Sequence, residues 1–82
     1  VRVCLLASGS KGNALFIETG HTRILVDAGL AARELSVRLN SLGVDGKELD
    51  ALLVTHEHHD HCRGLGPMAR RYQLPVYIHP ET

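Results

Sequence analysis

With 82 residues the chain has room for one domain, and at this size only roughly 60–65% of the unfolded chain's surface becomes buried. A 44% apolar and 22% charged composition argues against disorder, and nine basic residues against nine acidic ones give no global attraction to nucleic acid or an anionic membrane. No apolar run approaches the ~18 residues of a membrane span, no charged leader precedes the first strand, and Cys4 and Cys62 are too few for a disulfide framework, so a reducing cytoplasm is the expected setting.

Val1–Ala7 is apolar apart from Arg2 and reads as a first strand. Ser8-Gly9-Ser10-Lys11-Gly12-Asn13 is a turn whose two glycines permit positive φ. Ala14–Glu18 is the second strand, Thr19–Thr22 the next turn and Arg23–Asp27 the third strand, which together predict an antiparallel meander. At Ala28-Gly29 the pattern breaks. From Ala31 to Leu42 the spacing is helical, with Ala32, Leu35, Leu39 and Leu42 on one face and Gly43 as the residue after the helix. Val44–Leu49 connects to a fourth strand, Asp50–Thr55. Gly64, Gly66 and Pro67 delay the next helix, which is expected from Leu65 to Tyr72 because proline is tolerated only in a first turn. Leu74–His79 is a fifth strand with Pro75 near its start. The chain begins at Val1 without a methionine, and Thr82 would suit a helix N-cap, so a piece of a longer protein is expected.

The chemistry is concentrated in Thr55-His56-Glu57-His58-His59-Asp60-His61, directly after the apolar run Ala51–Val54. In an extended segment residues i and i+2 point to the same side, so His56 and His58 can close on one metal. Asp60 and His61 diverge in an extended chain; if the chain turns there, both can face a second metal. Imidazoles with a carboxylate suit Zn, Mn or Fe at a hydrolytic centre better than a closed structural zinc. Two metals roughly 3.5–4 Å apart lower the pKa of a bound water and clamp attacking and leaving oxygens. Asp60 is therefore assigned a catalytic part as well as a ligand role. Glu57 and His59 are expected to point away, Glu57 as an orienting partner of a ligand imidazole. The bland alternative is a histidine-rich surface loop with adventitious metal binding.

Ser8, Ser10 and Asn13 could offer donors to a substrate phosphate, although a plain turn explains them equally well. Lys11 reads as solvated, as do Arg63, Arg70 and Arg71, although these arginines lie where they could meet a DNA backbone. Cys4 reads as core, Cys62 as a small packed residue, and His21 as a solvated turn residue; His79 is undecided.

These motifs resemble the metallo-β-lactamase superfamily. His56-x-His58-x-Asp60-His61 is similar to its main metal motif, and Ile24-Leu25-Val26-Asp27-Ala28-Gly29 to its earlier strand-Asp-x-Gly motif. More narrowly, Leu6–Asn13 together with Thr55–His61 resembles the YycJ/WalJ-like branch, a group associated with DNA exonuclease activity. The resemblance implies an α/β fold, with residues 1–82 as the N-terminal part of one αββα sandwich. It implies His56, His58, Asp60 and His61 as metal ligands, Asp27 as a hydrogen-bonding support of the histidine loop, and a two-metal zinc site, with Mn2+ or Fe2+ as alternatives. The expected activity is metal-dependent hydrolysis, with DNA phosphodiester cleavage foremost and a small-molecule thioester or lactone hydrolase second. A non-catalytic metal-binding module completed by a partner chain is the third reading. The superfamily completes its metals with a later histidine, an aspartate and a final histidine, none of which this stretch supplies. Nucleic acid is then the expected substrate and no membrane is involved. The missing C-terminal half, or self-association, is expected to cover the sheet.

Overall fold

Three apolar runs of five or six residues, each closed by a turn, form the antiparallel meander β1 (Arg2–Ala7), β2 (Ala14–Thr19) and β3 (Thr22–Val26). The computed structural model describes residues 1–10, 12–56 and 59–78, with the backbone alone for His59 and Asp60. Register across the meander is pinned by charge as well as by pattern. Glu18 lies opposite both Arg2 and Arg23 and pairs with them at 3.2 and 2.6 Å. The bond from Arg23 holds the Glu18 carboxyl below its ordinary pKa.

After β3 the chain crosses over through α1 (Ala32–Ser41) and a short 3-10 turn at Gly46–Glu48 before β4 (Ala51–Val54). Gly43, with φ 79°, ends α1 in the left-handed conformation expected of it, and its amide donates to Asn40 O at 2.9 Å. Asp45 and Glu48 brace the 3-10 turn reciprocally: Asp45 accepts from Lys47 N at 3.0 Å and Glu48 from Asp45 N at 2.9 Å. A second crossover, α2 (His59–Cys62) and α3 (Leu65–Tyr72), leads to β5 (Val76–Ile78). The five strands lie in the order β1-β2-β3-β4-β5, antiparallel across the meander and parallel where helices intervene. Parallel neighbours need such helical crossovers because a tight turn can only reverse the chain.

Most expected element ends move by a residue or two, β4 losing Asp50 and Thr55 among them, and two of the shifts are instructive. The fifth strand is shorter than Leu74–His79: Leu74 and Pro75 precede it, and His79 lies outside the described residues. The third strand stops at Val26, because Asp27 leaves the extended region for φ 64°.

One face of the sheet is packed. Phe16, Leu25 and Leu52 meet Leu35 and Leu39 of α1 and Met68 of α3, and none of these side chains is more than 1% exposed. Side chains on alternate positions point the other way. On that side Val3, Leu5, Leu53 and Tyr77 are 58%, 65%, 37% and 57% exposed. The register places Val3 beside Ile17, Leu5 beside Leu15, Val26 beside Leu53, and Leu53 beside Tyr77, so the apolar residues form one continuous face. Both helices of eight or more residues contribute buried side chains to the opposite face, as a sheet apolar on both sides requires if only one side is covered.

Candidate metal centre

The site forms where β3 and β4 end side by side. Parallel register sets Val26 against Leu53, and the Asp27 amide continues the ladder to Leu53 O at 2.6 Å. Asp27 then turns left-handed, which aspartate tolerates better than most non-glycine residues. Its carboxylate, in a residue only 7% exposed, collects three hydrogen bonds from Thr55, just after β4, and His61 of α2. Oδ1 accepts from the Thr55 amide at 2.8 Å, and Oδ2 from the Thr55 hydroxyl at 2.7 Å. Oδ2 also lies 2.8 Å from Nδ1 of His61. Burial pushes the Asp27 carboxyl up, but the Thr55 amide and hydroxyl and His61 together outweigh it and hold the group below its ordinary pKa. Asp27 is thus a carboxylate that accepts from the histidine loop.

Backbone bonds fasten the same corner. The Ala28 amide donates to His61 O at 2.8 Å, Gly64 N to Ala28 O at 2.6 Å, and Gly29 N to Asn13 O at 2.9 Å. The three residues Asp27-Ala28-Gly29 therefore tie the β4 loop, the α2–α3 segment and the turn before β2 to one point. Gly64 makes that approach feasible. A Cβ there would run into the Leu30 carbonyl and stand 2.7 Å from Leu35 Cδ1.

His56 and His61 come together, with ring centroids 5.0 Å apart and planes inclined by 51°. His56 Nδ1 lies 3.1 Å from Thr55 Oγ1. Cys62, expected to be packed, is half-buried and directs its thiol toward His56 O at 3.4 Å. The backbone turns at α2, and of the Asp60-His61 pair the His61 side chain is the one described. Glu57 and His58 lie outside the described residues, as do the side chains of His59 and Asp60, so their assignments remain those of the sequence. Among the described residues no group of three His, Cys, Asp or Glu side chains gathers to hold a metal. The described donors nonetheless fit one. Nδ1 of His61 is held by a carboxylate and Nδ1 of His56 by a hydroxyl, so ligation by either ring would go through Nε2, the arrangement typical of metal-binding histidines.

Of the residues considered for substrate, Ser8 and Ser10 are exposed. Asn13 uses its amide inside the turn, donating to Gly9 O at 2.8 Å and accepting from Gly9 N at 3.2 Å. Through Gly29 this turn sits against the Asp27 corner. Sequence reasoning overlooked Thr55 and Gly64. The visible signal for Thr55 is a hydroxyl residue between a strand end and the first ligand; Gly64 carries no such signal without the fold.

Comparison with known proteins agrees with this architecture. Residues 7–82 match the family model of the metallo-beta-lactamase superfamily, and the chain belongs to that superfamily. Within it the chain is similar to exodeoxyribonuclease WalJ of Streptococcus pneumoniae serotype 2 (strain D39 / NCTC 7466). The two are 42% identical over 78 residues, covering 95% of this chain and 29% of the relative. It is also similar to exodeoxyribonuclease YycJ of Bacillus anthracis, 44% identical over 78 residues, 95% of this chain and 30% of that protein. Among solved structures, the metallo-beta-lactamase fold protein YhfI from Bacillus subtilis superposes with a TM-score of 0.71 at 27% identity, covering 94% of this chain and 36% of YhfI. The chain thus spans less than a third of the length of the two exodeoxyribonucleases.

Proposed function

We propose that this chain carries the leading ligands, and the support beneath them, of a two-metal zinc centre in an enzyme that cleaves phosphodiester bonds of DNA. One observation carries the reading: a buried aspartate holds His61 directly and Thr55 by both amide and hydroxyl, the two residues that in sequence bracket the other ligands of the His56-x-His58-x-Asp60-His61 motif. The choice of DNA rests on the similarity to proteins named exodeoxyribonucleases. Bound there, divalent cations supply Lewis acidity for hydrolysis at neutral pH. His56, His58, Asp60 and His61 would hold them, Asp60 also taking a catalytic part. Asp27 keeps the loop in place and keeps a proton on Nδ1 of His61. Ser8 and Ser10, on the turn fastened to Gly29 through Asn13, would meet the substrate backbone.

The apolar sheet face belongs to the same proposal. The greater part of the two exodeoxyribonucleases lies beyond the stretch matched here, and a second apolar layer from that part would cover Val3, Leu5, Leu53 and Tyr77. The test uses the intact protein, stripped with chelator and given metal back, on end-labelled linear DNA beside panels of thioesters and lactones. Metal-dependent shortening of DNA that is lost in His58→Ala is expected. Turnover of thioester or lactone without DNA cleavage would overturn the substrate class, and full activity in His58→Ala would overturn the ligand assignment.

A further inference from the structure

We infer that Thr55 is a positioning residue that fixes which ring nitrogen of His56 carries the proton, leaving Nε2 as the metal-binding atom. The inference rests on the metal reading above and adds a residue to it. A hydroxyl has one hydrogen to give and two lone pairs, and a carboxylate can only accept. The Thr55 hydroxyl is 2.7 Å from Asp27 Oδ2, so its hydrogen goes there. Its oxygen is also 3.1 Å from His56 Nδ1, and with the hydrogen already committed it can only accept from that nitrogen. Nδ1 of His56 must therefore bring the hydrogen, and in a neutral imidazole Nε2 is then the nitrogen with the lone pair.

The hydroxyl cannot easily turn to another role. Thr55 is clamped at a second point, where its amide donates to Asp27 Oδ1 at 2.8 Å. His61 meets the same condition without an intermediary, its Nδ1 lying 2.8 Å from Oδ2. A single carboxylate thus sets both imidazoles, one directly and one through a hydroxyl. The rings it sets are 5.0 Å apart between centroids. Without the hydroxyl, Nδ1 of His56 would lose this acceptor, and any fraction of the ring with its proton on Nε2 would have to lose or move that proton before ligating a metal.

The test measures ring-nitrogen chemical shifts of His56 and His61 by NMR in the intact protein, metal-free and at a pH where both rings are neutral, together with zinc titration against a competing chelator. The wild-type protein should show both rings protonated on Nδ1. Thr55→Val, which keeps the branched shape and the backbone amide, should mix the tautomers of His56 alone and weaken zinc binding about 10-fold, the lower end for partners of metal ligands. Thr55→Ser should restore both. A wild-type His56 protonated on Nε2 overturns the inference without recourse to any variant. So does a Thr55→Val protein with unchanged His56 shifts, or a Thr55→Ser protein that behaves like Thr55→Val. Failure of the wild-type protein to bind zinc would instead count against the proposed metal centre, which the tautomer measurement does not address.

Discussion

Replacing Asp27 by asparagine removes one charge and reverses one polar atom at the most connected side chain of the site. The amide oxygen can still accept from the Thr55 amide in place of Oδ1. The amide nitrogen then faces both the Thr55 hydroxyl and His61 Nδ1, which each give hydrogens to Oδ2 in the native arrangement. Donor would meet donor. His61 can relieve the conflict by moving its proton to Nε2, the nitrogen through which it would ligate. Partners of metal-binding histidines typically contribute 10–100-fold in affinity, about 1.4–2.7 kcal/mol. Metal-free stability should fall less than the loss of two charge-assisted bonds would suggest, by about 1–3 kcal/mol, because a buried neutral amide is cheaper to desolvate than a carboxylate. The assay is zinc titration of the intact Asp27→Asn protein against a chelator, with urea unfolding in EDTA alongside. Zinc affinity and unfolding midpoint both equal to wild type would refute the network as drawn.

Gly64→Ala should lower stability by about 1–3 kcal/mol, read as a lower midpoint of urea unfolding, because the added methyl meets the Leu30 carbonyl and Leu35. The Asp27 carboxyl has a folded pKa below its unfolded one, so its contribution is fully present above the ordinary carboxylate value and is lost as pH falls through the lower folded value. Metal-free wild type should therefore lose stability relative to Asp27→Asn below about pH 4, and parallel pH profiles for the two proteins would contradict this. Leu5→Ala separates a covered from an open sheet face in the intact protein. At a surface position it should cost under about 0.5 kcal/mol, whereas beneath a second layer it should cost about 2–5 kcal/mol by urea unfolding, and we expect the larger value.

The sequence made the sheet legible because its signals are local. Apolar runs cut by Gly9, Gly12 and Gly20 define the meander, and the leucines at 35 and 39 reach the core that their spacing predicts. Asp27 was legible as a buried carboxylate and, through the resemblance, was expected to support the histidine loop; in the structure it is buried and hydrogen-bonds Thr55 and His61. Its left-handed backbone was not, since three apolar residues before it look like a strand that simply continues. Thr55 could not be given a role because its partners stand 28 residues away in one direction and one residue away in the other. Gly64 was hidden for the same reason: what forbids a side chain there is the carbonyl of Leu30, brought close only by the crossover.

The parallel register of β3 and β4 has a consequence for how such a chain can vary. Val26 opposite Leu53 is what sets the Asp27 carboxylate against the Thr55 amide. A slip of one position would offer Val26 or Ala28 to that amide and would also turn every β4 side chain to the wrong face. Lengthening the chain between Leu25 and Ala28, or between Leu53 and His56, should therefore destroy the site even where the strand survives. The stretch from Leu42 to Asp50 lies outside both limits and connects a helix end to a strand start. Residues added at the exposed Gly43 would disturb the end of α1 but leave both strand ends in place, and loop length adds little to the free-energy cost. Length differences among chains of this design should accumulate there and be absent from the strand ends.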